Sequence, residues 1–362
     1  MKKLYFLTTL VVLSAATFKA NAQSNDDGIS DLFKGNPGDV NKLINAYTNP
    51  LFKGFGNSLN GGWTNTAKTL TLGHFDLRIS ASASIIPQAD RTFDINALGL
   101  TNIKATSSPI APTFGGSDAL STGITISDPA DPNNPNRQYK TTLPKGVTQY
   151  VPAPQIQLTV GLIKNTDVTL RLIPTTKITD DVGSVGMVGF GVKHNIIQDF
   201  AKGAVRPFDL SVAVGYTRLS YNKPLSVRPE TNNGGTTGSQ DYSNQRLEGH
   251  FSGWNAQVIL SKKFAIITPF VAVGFLTSKT DVGLKGNFPF VTGVTPSAVE
   301  ADRKPTYTTY ANPITIGGSS SSQVSGLRAD LGFQLELSIV RIYASGSLAE
   351  YKSVNAGIGF GF

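Results

Sequence analysis

Cysteine is absent from this 362-residue chain, which excludes a disulfide framework and any thiolate metal site. Charge is scarce as well: Asp, Glu, Lys and Arg make up 15% of the residues, against about 25% in ordinary soluble domains. Only three histidines occur, His74, His194 and His250, and none has a partner at metal-binding spacing, so neither a metal nor a cofactor is expected. No compact Lys/Arg cluster exists, so nucleic acid is not an expected partner. Long apolar runs are missing too. Beyond Gln23 nothing approaches the ~18 consecutive apolar residues of a membrane-crossing helix, which excludes a helical membrane protein. What fills these gaps is Ser, Thr, Asn, Gln, 37 glycines and 20 prolines, a mixture suited to strands and turns.

The first 22 residues stand apart. Lys2 and Lys3 precede an apolar run over residues 4–16, and Ala20-Asn21-Ala22 places small residues before Gln23. The run is shorter than the roughly 20 residues of a spanning helix, so 1–22 reads as a signal peptide cleaved between Ala22 and Gln23. Its removal takes away Lys2, Lys3 and Lys19 and lowers the formal charge from +8 to +5. Residues 23–70 form a second unit. Val40, Leu43, Ile44 and Tyr47 recur at helical spacing, with Asp39 placed to cap and Pro50 to stop the helix. The Gly/Asn-rich stretch 53–65, containing Trp63, reads as compact irregular structure. These apolar residues need somewhere to bury, so the block is expected as a plug inside, or a cap beneath, whatever follows.

From His74 onward the period changes to two. Phe75, Leu77, Ile79, Ala81, Ala83 and Ile85 alternate with polar residues, and the same pattern recurs along 156–172, 188–192, 208–217 and 254–261. Residues 327–339 alternate strictly over thirteen positions, longer than the five or six usual in globular strands and enough for a tilted membrane strand of about 9–11 residues. Residues 71–362 are therefore expected to form an all-β, antiparallel transmembrane barrel of about 12 strands, within a range of 10 to 14. The Pro- and Ser-rich stretch 101–154 is the main source of that spread, with one further strand expected near 138–151.

The chain's last residues carry an address. Asn355, Gly357, Phe360 and Phe362 match the polar–glycine–hydrophobic–aromatic pattern by which barrel-assembly machinery captures a terminal strand through its edge. Phe362 at the periplasmic end puts the tight links near 340, 263 and 165 on the same side. The long polar segments 222–247 and 283–322 then fall outside. Outer-membrane lipid and the assembly machinery are the implied partners, and the cell outer membrane the implied location.

The segments Tyr47-Thr48-Asn49-Pro50-Leu51-Phe52, Gly61-Gly62-Trp63-Thr64-Asn65, Arg171-Leu172-Ile173-Pro174 and Gly189-Phe190-Gly191-Val192 resemble an outer-membrane barrel family of Bacteroidota, a domain of unknown function. More distantly, a helical block ahead of a barrel is similar to the long-chain fatty acid transporter superfamily. That resemblance implies a plugged lumen and a hydrophobic small-molecule ligand. One chemical constellation remains. His250 and Ser252 share a strand face with Glu248, as in outer-membrane lipid A deacylases, where histidine activates serine. The sequence favours a non-enzymatic barrel passing hydrophobic small molecules. The alternatives are a surface scaffold docking partners through 222–247 and 283–322, a lipid A acyl hydrolase, and a secreted soluble sandwich.

Overall fold

The computed structural model describes residues 35–179, 183–200, 207–316 and 324–362; the cleavage residues Ala20, Ala22 and Gln23 lie outside the described residues. Ten long strands form one sheet: β1 (Phe75–Ile85), β2 (Tyr150–Leu162), β3 (Thr166–Thr179), β4 (Gly183–Asn195), β5 (Asp209–Pro224), β6 (Arg246–Ser261), β7 (Ile267–Lys285), β8 (Ser325–Leu337), β9 (Val340–Leu348) and β10 (Ser353–Gly361). Each pairs antiparallel with the next, and β1 pairs with β10 along nine positions, so the sheet closes on itself and leaves no open end. The expectation of about 12 strands is corrected to ten. Residues 101–154 add no wall strand before Tyr150; Gln138–Thr142 instead joins Gly123–Ser127 and Ile103–Ala105 in a small separate sheet. Segment 283–322 likewise holds a hairpin of Asn287–Thr295 and Lys304–Ala311 rather than a plain loop.

Polarity is inverted relative to a soluble protein. Ser80, Gln155, Asp167, Arg171, Asn255 and Asn355 are buried inside, while Phe190, Trp254, Val273, Leu331 and Phe360 stand out on the exterior. An uncovered apolar exterior of this extent is unfavourable in water at roughly 25 cal/mol per Å² and is the normal outer face of a membrane barrel. It rules out the soluble sandwich, which would need a second sheet against that face. The tight turns at one end use left-handed residues, Lys164 and Asn165, Ala265 and Ser338. Phe362 lies at this end, and the last of these turns falls at 338–339, two residues before the expected link. Long excursions 86–149, 225–245 and 286–324 leave from the opposite, loop end.

Helix α1 (Pro37–Leu59) runs inside this wall. It corrects two expectations. Asn36, not Asp39, is the N-cap: its side chain accepts from the Asp39 N–H at 2.9 Å. The Asp39 carboxylate instead accepts from the Thr101 and Asn102 N–H groups at 2.9 and 3.0 Å and ties the helix to the loop-end excursion. Nor does Pro50 stop the helix. It removes one internal hydrogen bond, but the nine residues beyond it are enclosed by the barrel, where Phe52 and Phe55 meet Phe251 at 5.9 and 4.8 Å between ring centres. Close approach to the wall requires glycine here: a Cβ at Gly56 would sit 2.2 Å from Ser278 Oγ, and one at Gly54 2.8 Å from Val151 Cγ2.

Candidate functional site

The helix enters from the loop end, and residues 60–74 then run down the lumen until His74 meets the Phe362 ring. An extended chain in a lumen has no ladder partner, so its backbone groups must be met by wall side chains. They are. Asn255 donates to the Asn60 carbonyl at 2.8 Å and Gln157 to that of Trp63 at 3.2 Å; Lys193 donates to Thr66 and Lys68. Asp167 accepts from the Leu70 N–H at 2.9 Å and Ser261 from that of Ala67 at 2.9 Å.

Arg171, fully buried on β3, is the centre of this clamp. It donates to the Leu59 and Gly61 carbonyls, both at 2.8 Å, and to Gln157 at 3.0 Å. The first carbonyl ends α1 and the second lies two residues beyond it; the last turn of α1 carries no basic residue of its own, so the wall supplies the cation that the helix dipole favours. The guanidinium also lies 3.7 Å from the centre of the Trp63 ring. The other side of that ring fits against Gly191 on β4 and Gly215 on β5, where any Cβ would come within 2.7 and 2.5 Å of it. Arg78 on β1 adds donation to the Gly62 and Trp63 carbonyls.

Below Trp63 the lumen opens into a cavity of about 520 Å³ toward Phe362, lined by polar and charged side chains including Asp76, Lys193, Lys263 and Glu336. Above Trp63 the character reverses. Val40, Leu43, Ile44 and Tyr47 pack with Ile95, Ile103, Ile124 and Leu143 from the loop-end excursion, and Phe52 with Ala153, Met187, Leu219 and Phe251 from the wall. Burial pushes the Tyr47 phenol up to about 12, and its hydroxyl donates to the Lys145 carbonyl at 2.8 Å. The four helical residues singled out by spacing thus sit together in the loop-end core. Trp63, grouped with them by sequence, sits apart in the polar lumen.

The wall itself is incomplete at one seam. Strands β2 and β3 are paired only between residues 157–162 and 166–171. Beyond Arg171, β3 stays with β4 through two register shifts, and among the described residues β2 has no ladder partner on that side over 150–156. Parity explains the parting. The Ile86 N–H bonds the Gln149 carbonyl, so odd residues of β2 turn their backbone groups to β1 and even residues toward β3. Pro152 and Pro154 are even and have no N–H to give, and Pro174 holds the matching parity on β3. Behind the seam lie Ala153, Ile173, Val185 and Met187, part of the apolar loop-end half of the lumen.

Other expected residues are less connected. His250 is exposed on the exterior of β6, with Ser252 on the same face, but Glu248 bonds Arg246 at 2.6 Å and does not orient the histidine. His194 bonds Thr166 at 2.9 Å and Asp199 at 2.8 Å, pinning a turn at the Phe362 end. Among the described residues no group of three or more His, Cys, Asp or Glu is placed to hold a metal. On β10, Asn355 faces inward, bonded to Ser82 at 2.9 Å, Gly357 lies against β1, and Phe360 and Phe362 point out.

Solved structures to which the chain is similar are outer-membrane barrels. The translocator domain of the autotransporter NalP from Neisseria meningitidis shares 12% identity, with 86% of this chain and 93% of that chain covered and a TM-score of 0.24. The outer membrane protease OmpT from Escherichia coli shares 8%, with 82% and 100% covered and a TM-score of 0.26. The toluene transporter TodX from Pseudomonas putida shares 9%, with 87% and 97% covered and a TM-score of 0.18. Likeness at this level carries no activity across, and the fold rests on the strand pairing itself. No curated protein matches. The family model that does match spans residues 1–362, and the chain belongs to that family, described as a family of unknown function, DUF6588.

Proposed function

We propose that the protein is a non-enzymatic barrel of a Gram-negative outer membrane, exported by its signal peptide, that admits hydrophobic small molecules through its wall rather than along its lumen. The observation that carries this reading is the seam between β2 and β3. It lies within the apolar belt, since residues 150–156 pair with 79–85 of β1, and it is backed by apolar side chains. A hydrophobic solute leaving there enters lipid directly and avoids the polar cavity below Trp63. Replacing Pro152, Pro154 and Pro174 together with valine returns the missing N–H groups and suits a lipid-facing strand. Uptake of the fluorescent probe N-phenyl-naphthylamine into vesicles carrying the protein is expected to fall at least fivefold in this variant, with the barrel still folded. Equal uptake by parent, variant and protein-free vesicles would overturn the reading.

The packed loop end favours a second reading. There Asp39, Tyr47 and the small sheets form one ordered surface, suited to a sealed scaffold that docks other surface proteins. Partner capture by parent and proline variant alike, with uptake by neither, would favour it.

A further inference from the structure

The cavity below Trp63 has a charge imbalance that the plug does not explain. Three carboxylates face it and each is already neutralised: Asp76 by Arg341 at 3.0 Å, Asp167 by Lys193 at 2.9 Å and Glu336 by Lys263 at 2.6 Å. Two further cations line the same space, Lys68 at the mouth and Arg78 in the wall; among the described residues neither has a carboxylate at ion-pair distance, and each shares one, Glu336 or Asp76, that is already paired. Even counting a terminal carboxylate at Phe362, the cavity keeps a positive surplus, and Arg171 behind Trp63, with no carboxylate at ion-pair distance among the described residues, adds to it. The walls are low in dielectric and concentrate this field. Two guanidinium nitrogens point to what is missing. Nε of Arg78 and Nε of Arg341 are buried without an acceptor, on side chains at least nine-tenths buried. Both side chains line the cavity, so an oxyanion seated there gains charge-assisted contact with their guanidinium groups.

We propose that this cavity binds a small oxyanion, a phosphate or carboxylate group, entering from the Phe362 end between Lys68 and Arg78. The site is separated by Trp63 from the β2–β3 seam, so it stands or falls independently of the route proposed for hydrophobic solutes. The chain has only two tryptophans, and Trp254 faces outward; a Trp254→Phe background therefore leaves Trp63 as a reporter at the roof of the cavity. Detergent-solubilised protein is titrated with inorganic phosphate and, separately, with succinate, against chloride at matched ionic strength, following heat and Trp63 emission. Saturable binding of phosphate alone, succinate alone or both is expected and identifies the group recognised. Lys68→Gln, at an exposed position, is expected to weaken it five- to tenfold, while Lys285→Gln at the loop end leaves it unchanged. No saturable heat or emission change beyond chloride, or equal affinity in Lys68→Gln, would overturn the proposal.

Discussion

Replacing Arg171 with methionine is expected to free the N-terminal segment from the lumen while the barrel stays closed. The guanidinium makes two bonds to plug carbonyls and stacks on Trp63. A hydrogen bond to a charged group is worth about 1.5–3 kcal/mol and a desolvated cation–π contact about 2 kcal/mol. Against these stands the penalty of holding a guanidinium, without a carboxylate partner, away from water. The variant removes that penalty but orphans the Leu59 and Gly61 carbonyls, so a net loss of about 3 kcal/mol for the plugged state is expected, near a hundredfold in population. The wall loses no ladder bond. Limited proteolysis should therefore cut within 60–71 in the variant and not in the parent, with the same heat-modifiable migration for both. Loss of the folded band, or resistance equal to the parent, would contradict the clamp.

Valine at Gly215 is expected to evict Trp63 outright. The new side chain would begin 2.5 Å from Cδ2 and Cε2 of the indole, a rigid fused ring that cannot yield, with Arg171 closing the other face. Large ring displacement, loss of its burial and loss of the stack together make an effect of several kcal/mol on the plug. β5 itself accepts valine, which it already carries at Val212 and Val214. In the Trp254→Phe background the emission of Trp63 should move to longer wavelength; an unmoved emission maximum would show that the ring does not occupy this slot. Gly191→Ala should give the same shift to a smaller extent, because its contact is 2.7 Å and lies at the ring's outer edge.

The alternation that marks β1, β5, β8 and β10 was readable because each strand meets two different solvents, and period two maps one onto each face. The loop-end core was half readable: Val40, Leu43, Ile44 and Tyr47 keep helical spacing, but their partners Ile95, Ile103 and Ile124 sit in short irregular pieces. Of the lumen segment, the stretch around Trp63 was readable as compact irregular structure, but not its path or its partners. Its hydrogen bonds go to Gln157, Arg171, Lys193 and Asn255, far away in sequence, so nothing local marks them. Pro50 misled because proline ends a helix only where the residues beyond it have no other support. Two signals for the site were present in the sequence: glycines at inward positions of neighbouring strands, Gly191 and Gly215, and Pro152 and Pro154 two apart, which places both on one strand edge. Neither points to the site until the register shows what lies opposite.

The N-terminal segment of this protein seals the lumen of its ten-stranded barrel. Planar-bilayer recording of the full chain tests it most directly. A sealed barrel predicts no steady conductance from the parent and stepwise conductance from the Arg171 variant. A stable open channel in the parent, of the same size as in the variant, would contradict it.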